Sequence, residues 1–285
     1  MFFQQLVNGL VSGCVYALIA LGYTMIFGIL GIVNFAQGEI YMFGAFGAVM
    51  VYAATGSLAL AILAGLGAAC LVGLLLERFA FRPLRGTHPL VPLISAIGAS
   101  ILLSSLARFF FGPEDKAFPH EFSLATYTIF SAHITGMQLT IIGISAGLMI
   151  ALWLFLKMSR HGKAIQAVAM DSDAAKLSGI NVNRAYVATF LSGSALSGVA
   201  GMLMAVYYNA TSPTMGLLPG LKAFSAAILG GVGSIPGAII GGLVLGVAEN
   251  LGAAYISSNF KDAFAFIALV LVLIVRPRGI MGQRK

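Results

Sequence analysis

The side chains able to do chemistry are few, and familiar enzymatic arrangements are missing. Gly162-Lys163 is followed by Ala164, so there is no GxxxxGK[ST] loop to cradle nucleotide phosphates, and no HExxH occurs. His88, His120, His133 and His161 are scattered, all expected in loops, and Cys14 and Cys70 lie inside apolar runs as packing residues. No CxxC or Cys/His metal spacing is present. What stands out is ionisable groups within apolar sequence, where each costs roughly 2.5–3.5 kcal/mol at the centre of a membrane helix. Glu39 begins one such run, after a polar interruption carrying Asn34 and Gln37. It is either a first-turn carboxylate favoured by the helix dipole, with Asn34 or Gly38 near the cap, or a group lining a path. Glu249 lies deeper, in VLGVAENLGAAY, where Lys222 could pair with it. A structural pair and a substrate contact are both open there. Arg108, near the end of an apolar run, is expected to snorkel.

The elements that must position these groups are membrane spans. Of 285 residues, 59% are hydrophobic and 9% charged, and the mean hydropathy is +0.98. A soluble domain carries about 25% charged residues. Those values exclude a soluble enzyme, a disordered chain and a fibrous repeat. Apolar runs long enough to cross a bilayer occur near 6–30, 37–56, 57–77, 90–111, 138–156 and 185–208, then a Gly-rich stretch at 222–255 and a last run at 262–275. They are continuously apolar, not alternating, which excludes a porin-like barrel. The opening MFFQQLVNGL has no basic n-region and reads as the start of a first span, not a signal peptide. The expected fold is an all-α polytopic bundle, one transmembrane domain over 1–285.

Three basic clusters set the orientation. Arg78, Arg82 and Arg85 form one, Lys157 to Arg184 another, and Arg276 to Lys285 a third, all expected in the cytoplasm. The acidic segment 112–137 and the N-terminus then lie outside. Parity requires 222–255 to enter and return, yet two full spans need about 40 residues. A short re-entrant segment at 222–232 is therefore expected, with a break at Gly230-Gly231-Val232-Gly233-Ser234-Ile235-Pro236 and a helix returning from Gly237. Irregular backbone at membrane depth needs protein or a water-filled path around it, so Gly230, Gly231 and Gly233 join Asn34, Gln37, Glu39 and Glu249 as candidate path residues. Gly237, Gly241, Gly242 and Gly246 fit close helix packing, and Gly9 and Gly13 repeat that spacing. The interruption near Asn34 has a loose parallel where Asn209 and Pro213 precede the second break.

The loop 157–184 reads KMSRHGKAIQAVAMDSDAAKLSGINVNR. Asp171 or Ser172 can cap a helix of about seven residues, with Asp173 in its first turn, Ala174 and Ala175 on its face and Gly179 at C′. Such a helix suits a groove on a partner protein; the alternative is a helix lying on the membrane surface.

GCVYALIALGYTMIFGILGIVNFAQGEIYMFGA, AVAMDSDAAKLSGINVNR and GLKAFSAAILGGVGSIPGAIIGGLVLGVAE, with ERFAFRPLR and RPRGIMG, occur in order along nearly the whole chain. Together they resemble the LivH-type permeases of bacterial branched-chain amino acid ABC importers. The resemblance implies a multi-pass inner-membrane permease, not an enzyme, paired with a LivM-like permease. It also implies two cytoplasmic ATPase subunits that hold the ATP and magnesium, an extracytoplasmic substrate-binding protein, and no cofactor on this chain. It further assigns Asp171, Ala174, Ala175 and Gly179 to ATPase docking, although the loop lacks the full glutamate-alanine-alanine signature of other importers. A urea or short-amide permease of the same superfamily, and an ion-coupled amino acid carrier acting alone, are the other readings.

Overall fold

The computed structural model describes residues 2–118, 125–129, 132–276 and 279–282. Among the described residues eleven α-helices follow in chain order: α1 (Phe2–Leu30), α2 (Gln37–Thr55), α3 (Leu58–Leu75), α4 (Leu90–Phe111), α5 (Gly136–Met158), α6 (Arg160–Met170), α7 (Ser172–Leu177), α8 (Val182–Tyr208), α9 (Leu217–Gly230), α10 (Ile235–Tyr255) and α11 (Lys261–Val275). A two-stranded antiparallel hairpin, β1 (Thr126–Ile129) and β2 (Ala132–Thr135), precedes α5 and pairs Thr126 with Thr135. Seven helices among the described residues are long and apolar enough to cross a membrane, and the chain is a multi-pass helical bundle. Of the expected spans, α2 falls outside that set, and α9 has only 14 residues. The hairpin and the separate helix α6 are not foreseen by the apolar pattern. Both fall in segments whose order comes from packing and capping, not hydropathy.

Helix α1 is the axis. It is buried along most of its length because small residues let neighbours close in on every side. A Cβ at Gly246 would run into the Gly13 backbone, and one at Gly242 would run into Ala17. Gly9 and Gly13 in turn face Val247 and Leu243 at 2.8–2.9 Å from an added Cβ. The expected glycine seam is therefore an intramolecular α1–α10 interface, and Gly237 and Gly241 serve α9 instead, against Gly230 and Ala226.

The second half repeats this pattern. Just as α1 closes on α10, α8 closes on α3: Gly198 meets Ala69, Gly73 meets Ser194 and Gly65 meets Met202. Across the centre, Gly22 of α1 faces Gly193 of α8, and Gly38 of α2 faces Gly216 and Gly220 at the start of α9. The units α1–α2–α3 and α8–α9–α10 thus make matching contacts, and the two chain interruptions, near Asn34 and near Pro213, meet. The loose parallel in the sequence has a spatial counterpart.

Loops at the hairpin end are tied together. Gln4 exchanges two hydrogen bonds with the His133 backbone, donating to its carbonyl at 3.1 Å and accepting its N–H at 2.8 Å. Lys116 bridges to Thr211, and Asn209, in the left-handed region at φ 49°, accepts the Phe118 N–H at 2.9 Å. At the opposite end, Arg85 pairs with buried Glu77, donates to Asn183 at 2.7 Å and lies 3.8 Å over the Tyr186 ring. That clamp fixes the π-helical turn Leu76–Phe81 against the start of α8.

Candidate functional site

Three places gather the functional side chains. The first is the start of α2. Asn34, Gln37 and Glu39 are buried there. Asn34 does not cap α2 through its side chain; its Oδ1 accepts the Ala36 N–H at 3.1 Å and its amide donates to Gln37 Oε1 at 3.1 Å. Gln37 donates onward to the Gly193 carbonyl at 3.1 Å and to Ser197 Oγ at 2.7 Å. These two residues bind α2 to α8. Glu39 accepts the Ser100 hydroxyl at 3.1 Å through Oε1, while Oε2 has no hydrogen-bond partner among the described residues. Its carboxylate lines a cavity of about 180 Å³ with Tyr23, Ser100, Gly216 and Gly220. Glu39 is thus both a first-turn acid of α2 and a cavity-lining group.

The second place is built by α9, α10 and α11. Lys222 donates to Glu249 Oε1 at 2.8 Å and also pairs with Asp262, and Lys261 lies 3.7 Å from the same Glu249 oxygen. Glu249 is wholly buried, and its Oε2 has no hydrogen-bond partner of normal geometry among the described residues, although the Tyr16 hydroxyl is directed at the same carboxylate. The Lys222 ammonium also sits 5.9 Å from the Tyr16 ring. These groups line a cavity of about 450 Å³. The pairing of Lys222 with Glu249 agrees with the sequence reading. Lys261 and Asp262 were missed, because they sit at the far end of another element and only the α10–α11 packing brings them in.

The glycine break falls where the sequence places it, between α9 and α10, with the returning helix starting at Ile235, two residues before Gly237. Helix α9 begins at Leu217, five residues before the expected re-entrant start, and ends at Gly230. Its last carbonyls are capped by the C-terminal segment, with Ile280 N–H donating to Leu229 at 2.8 Å and Met281 N–H to Gly230 at 2.9 Å. Gly231 has φ 106°, and an added Cβ would meet Gly282; one at Gly230 would strike the Gly237 carbonyl. Gly230 and Gly231 therefore serve packing and helix termination. Gly233, at φ 90° with open space beside it, lines a cavity of about 260 Å³ with Trp153, Lys157 and Gln166.

The third place is the loop between α5 and α8. Ser159 caps α6 by accepting the Gly162 N–H at 2.8 Å, and α6 buries Gly162, Ile165 and Val168. A Cβ at Gly162 would collide with Phe155 and Leu156, so α6 is pressed against α5. Asp171 then caps α7, its Oδ1 accepting the N–H groups of Asp173 and Ala174, both at 2.9 Å. At the other end Gly179, φ 80°, donates to Lys176 and Ile180 donates to Ala175, a full Schellman motif. That motif corrects one expectation. Ala175 is buried, since the hydrophobic contact of the motif turns it inward, so the two alanines do not share an exposed face. Ala174 is exposed, and beside it stand Leu177 at 90% and Met170 at 87% exposure. Those two apolar side chains were not singled out from the sequence; a bare leucine and methionine flanking a capped turn were the available signal.

Other candidates are settled by placement. His133 lies in β2 and His161 in α6, not in loops, and His120 falls outside the described residues. No group of three or more His, Cys, Asp or Glu gathers to hold a metal among the described residues. A formal GxSxG, with Gly143, Ser145 and Gly147, lies mid-way along α5, where Ser145 is fully buried. It lacks the strand-to-helix turn that exposes a nucleophile.

Residues 5–274 match the family model described as branched-chain amino acid transport system / permease component. The chain is 44% identical to the high-affinity branched-chain amino acid transport system permease protein LivH of Salmonella typhimurium, over 99% of this chain and 96% of that one. It is 45% identical to the corresponding protein BraD of Pseudomonas aeruginosa, with the same coverages. A solved structure, PsaBC from Streptococcus pneumoniae in complex with Fab, aligns with TM-score 0.52 at 14% identity over 98% of this chain and 93% of that one, a likeness of fold alone. With the family match spanning almost every helix described above, the chain belongs to the branched-chain amino acid transport system permease family.

Proposed function

We propose that this chain is the permease subunit of an ABC importer that moves branched-chain amino acids across the bacterial inner membrane. The observation that carries the reading is near full-length kinship with LivH and BraD permeases, and a short helix capped at both ends supports it. ATP hydrolysis resides in two partner ATPases, a LivM-like permease completes the membrane unit, and an extracytoplasmic binding protein delivers substrate. This chain itself holds no cofactor. α7 is the coupling element: Asp171 and Gly179 fix its two ends, and Ala174, Leu177 and Met170 offer the exposed apolar surface. A carrier working alone has no use for such a projection. The N-terminus lies outside and the C-terminus in the cytoplasm, so a cysteine near Lys116 labels from outside and one near Arg85 only from within.

The reconstituted complex, given radiolabelled leucine and urea with ATP and binding protein, tests the reading. ATP-dependent leucine uptake without urea uptake supports it. Urea uptake alone assigns the chain to the short-amide branch, and leucine uptake driven by an ion gradient without ATPase subunits overturns the ABC assignment.

A further inference from the structure

The Glu249 cavity carries four charged side chains where a bundle interior is ordinarily apolar. A pair kept only for stability needs one lysine and one carboxylate with their hydrogen bonds complete, and an apolar pair of similar volume is often at least as stable. Here two cations, Lys222 and Lys261, meet two carboxylates, Glu249 and Asp262. Lys222 is engaged by both acids. Lys261 is only loosely engaged, at 3.7 Å, with its side chain 38% exposed at the cavity mouth. At the floor, Glu249 Oε2 is buried with no partner of normal hydrogen-bond geometry among the described residues. Beside the paired Lys222, the Glu249 carboxylate, approached otherwise by the Tyr16 hydroxyl, and the loosely held Lys261 ammonium therefore keep hydrogen-bonding capacity side by side in one space.

We propose that this cavity binds the zwitterion of an α-amino acid directly, with Glu249 Oε2 accepting the ammonium group and Lys261 taking the carboxylate. The inference rests on the reading of the chain as an amino acid permease and locates recognition within it. Charge supports it. The four ionised groups sum to zero, so a ligand that is itself neutral overall enters without leaving an unbalanced charge at low dielectric. Shape supports it as well. The volume of about 450 Å³ falls within the range of small-molecule sites, roughly 300–1,000 Å³. Val15, Met204 and Leu218 supply the apolar wall that an aliphatic side chain fits. Ser212 and Thr214 line the same cavity, in the loop after α8 that parity places outside, where a binding protein releases its cargo.

The test uses the purified permease–ATPase complex without binding protein, and reads equilibrium binding of tritiated leucine in competition with leucine analogues. Leucinol lacks the carboxylate and 4-methylpentanoate lacks the ammonium group. Each is expected to compete at least about tenfold more weakly than leucine, one hydrogen-bonded charge being a tenfold matter or more. Glu249→Gln is expected to weaken leucine binding by about tenfold and Lys261→Gln by a smaller factor, about threefold. Lys261→Gln sits at the mouth and carries the test should Glu249→Gln fail to assemble. Analogues that compete as well as leucine, variants that bind like the wild type, or no binding by a complex that transports leucine would each overturn the proposal. Wild-type uptake of leucine, measured with binding protein present, judges the permease reading separately.

Discussion

The loop helix and the buried charge cluster are opposite kinds of functional element. Everything that shapes α7 lies within ten residues: Asp171 starts it, Gly179 and Ile180 stop it, and Ala175 seals its end. The charge cluster draws Lys222, Glu249, Lys261 and Asp262 from three helices, and each has meaning only when the others are in place. The first is a shallow exposed surface whose changes, on the proposed coupling role, are felt by a partner. The second is a buried set whose changes are felt first by the fold. Separating those two consequences is what mutation can do here.

The largest effect is expected at the cluster. Glu249→Ala removes the acceptor at the centre of the ion pairs and leaves Lys222 buried with Asp262 alone, a loss of about 3–5 kcal/mol. Abundance and thermal unfolding of the purified complex read it. Adding Lys222→Met to Glu249→Ala should recover part of that stability, since the stranded charge goes with its partner. Failure to recover would mean that packing, not charge, dominates the site.

Next come the two alanines of α7, which should part company. Ala175→Arg forces a long side chain into a closed contact and is expected to cost about 1–3 kcal/mol, with abundance and ATPase binding falling together. Gly179→Val is milder in range but local. A β-branched residue at φ 80° costs about 1–2 kcal/mol and frays α7, which stimulated ATP hydrolysis reports more than abundance does. The smallest effect is expected from Glu39→Gln. The amide oxygen keeps the Ser100 bond and an NH2 group takes the place of Oε2, so abundance should hold and uptake kinetics should change by a few-fold at most, about 1 kcal/mol. A collapse of uptake there would move the path from the Glu249 cavity to the Glu39 cavity.

The same contrast explains what the sequence shows and what it hides. The ends of α4 and the limits of α8 and α11 follow from hydropathy, and the caps of α7 follow from residue types a few positions apart. The Lys222–Glu249 pair is legible because two charges in apolar sequence need each other. Lys261 and Asp262 are not legible, because they read as an ordinary charged helix start. Ala175 reads as a surface residue until the Schellman motif turns it inward. Gly230 and Gly231 stand out from composition alone, while the tail residues Ile280 and Met281, fifty positions on, give no sign in sequence that they cap the end of α9. Local signals survive in one dimension, and pairings set by tertiary contact do not.

Ala174→Arg in the reconstituted importer tests the central claim, that α7 couples this permease to its ATPases. The side chain is exposed, and the Ala174 N–H that donates to the Asp171 cap survives the substitution, so membrane insertion and abundance should stay at wild-type levels. Binding-protein-stimulated ATP hydrolysis should fall by roughly tenfold or more, the loss of a docking hot spot, and ATPase pull-down should fall with it. Normal abundance with stimulated hydrolysis intact would contradict the account and leave α7 as a surface helix with no part in coupling.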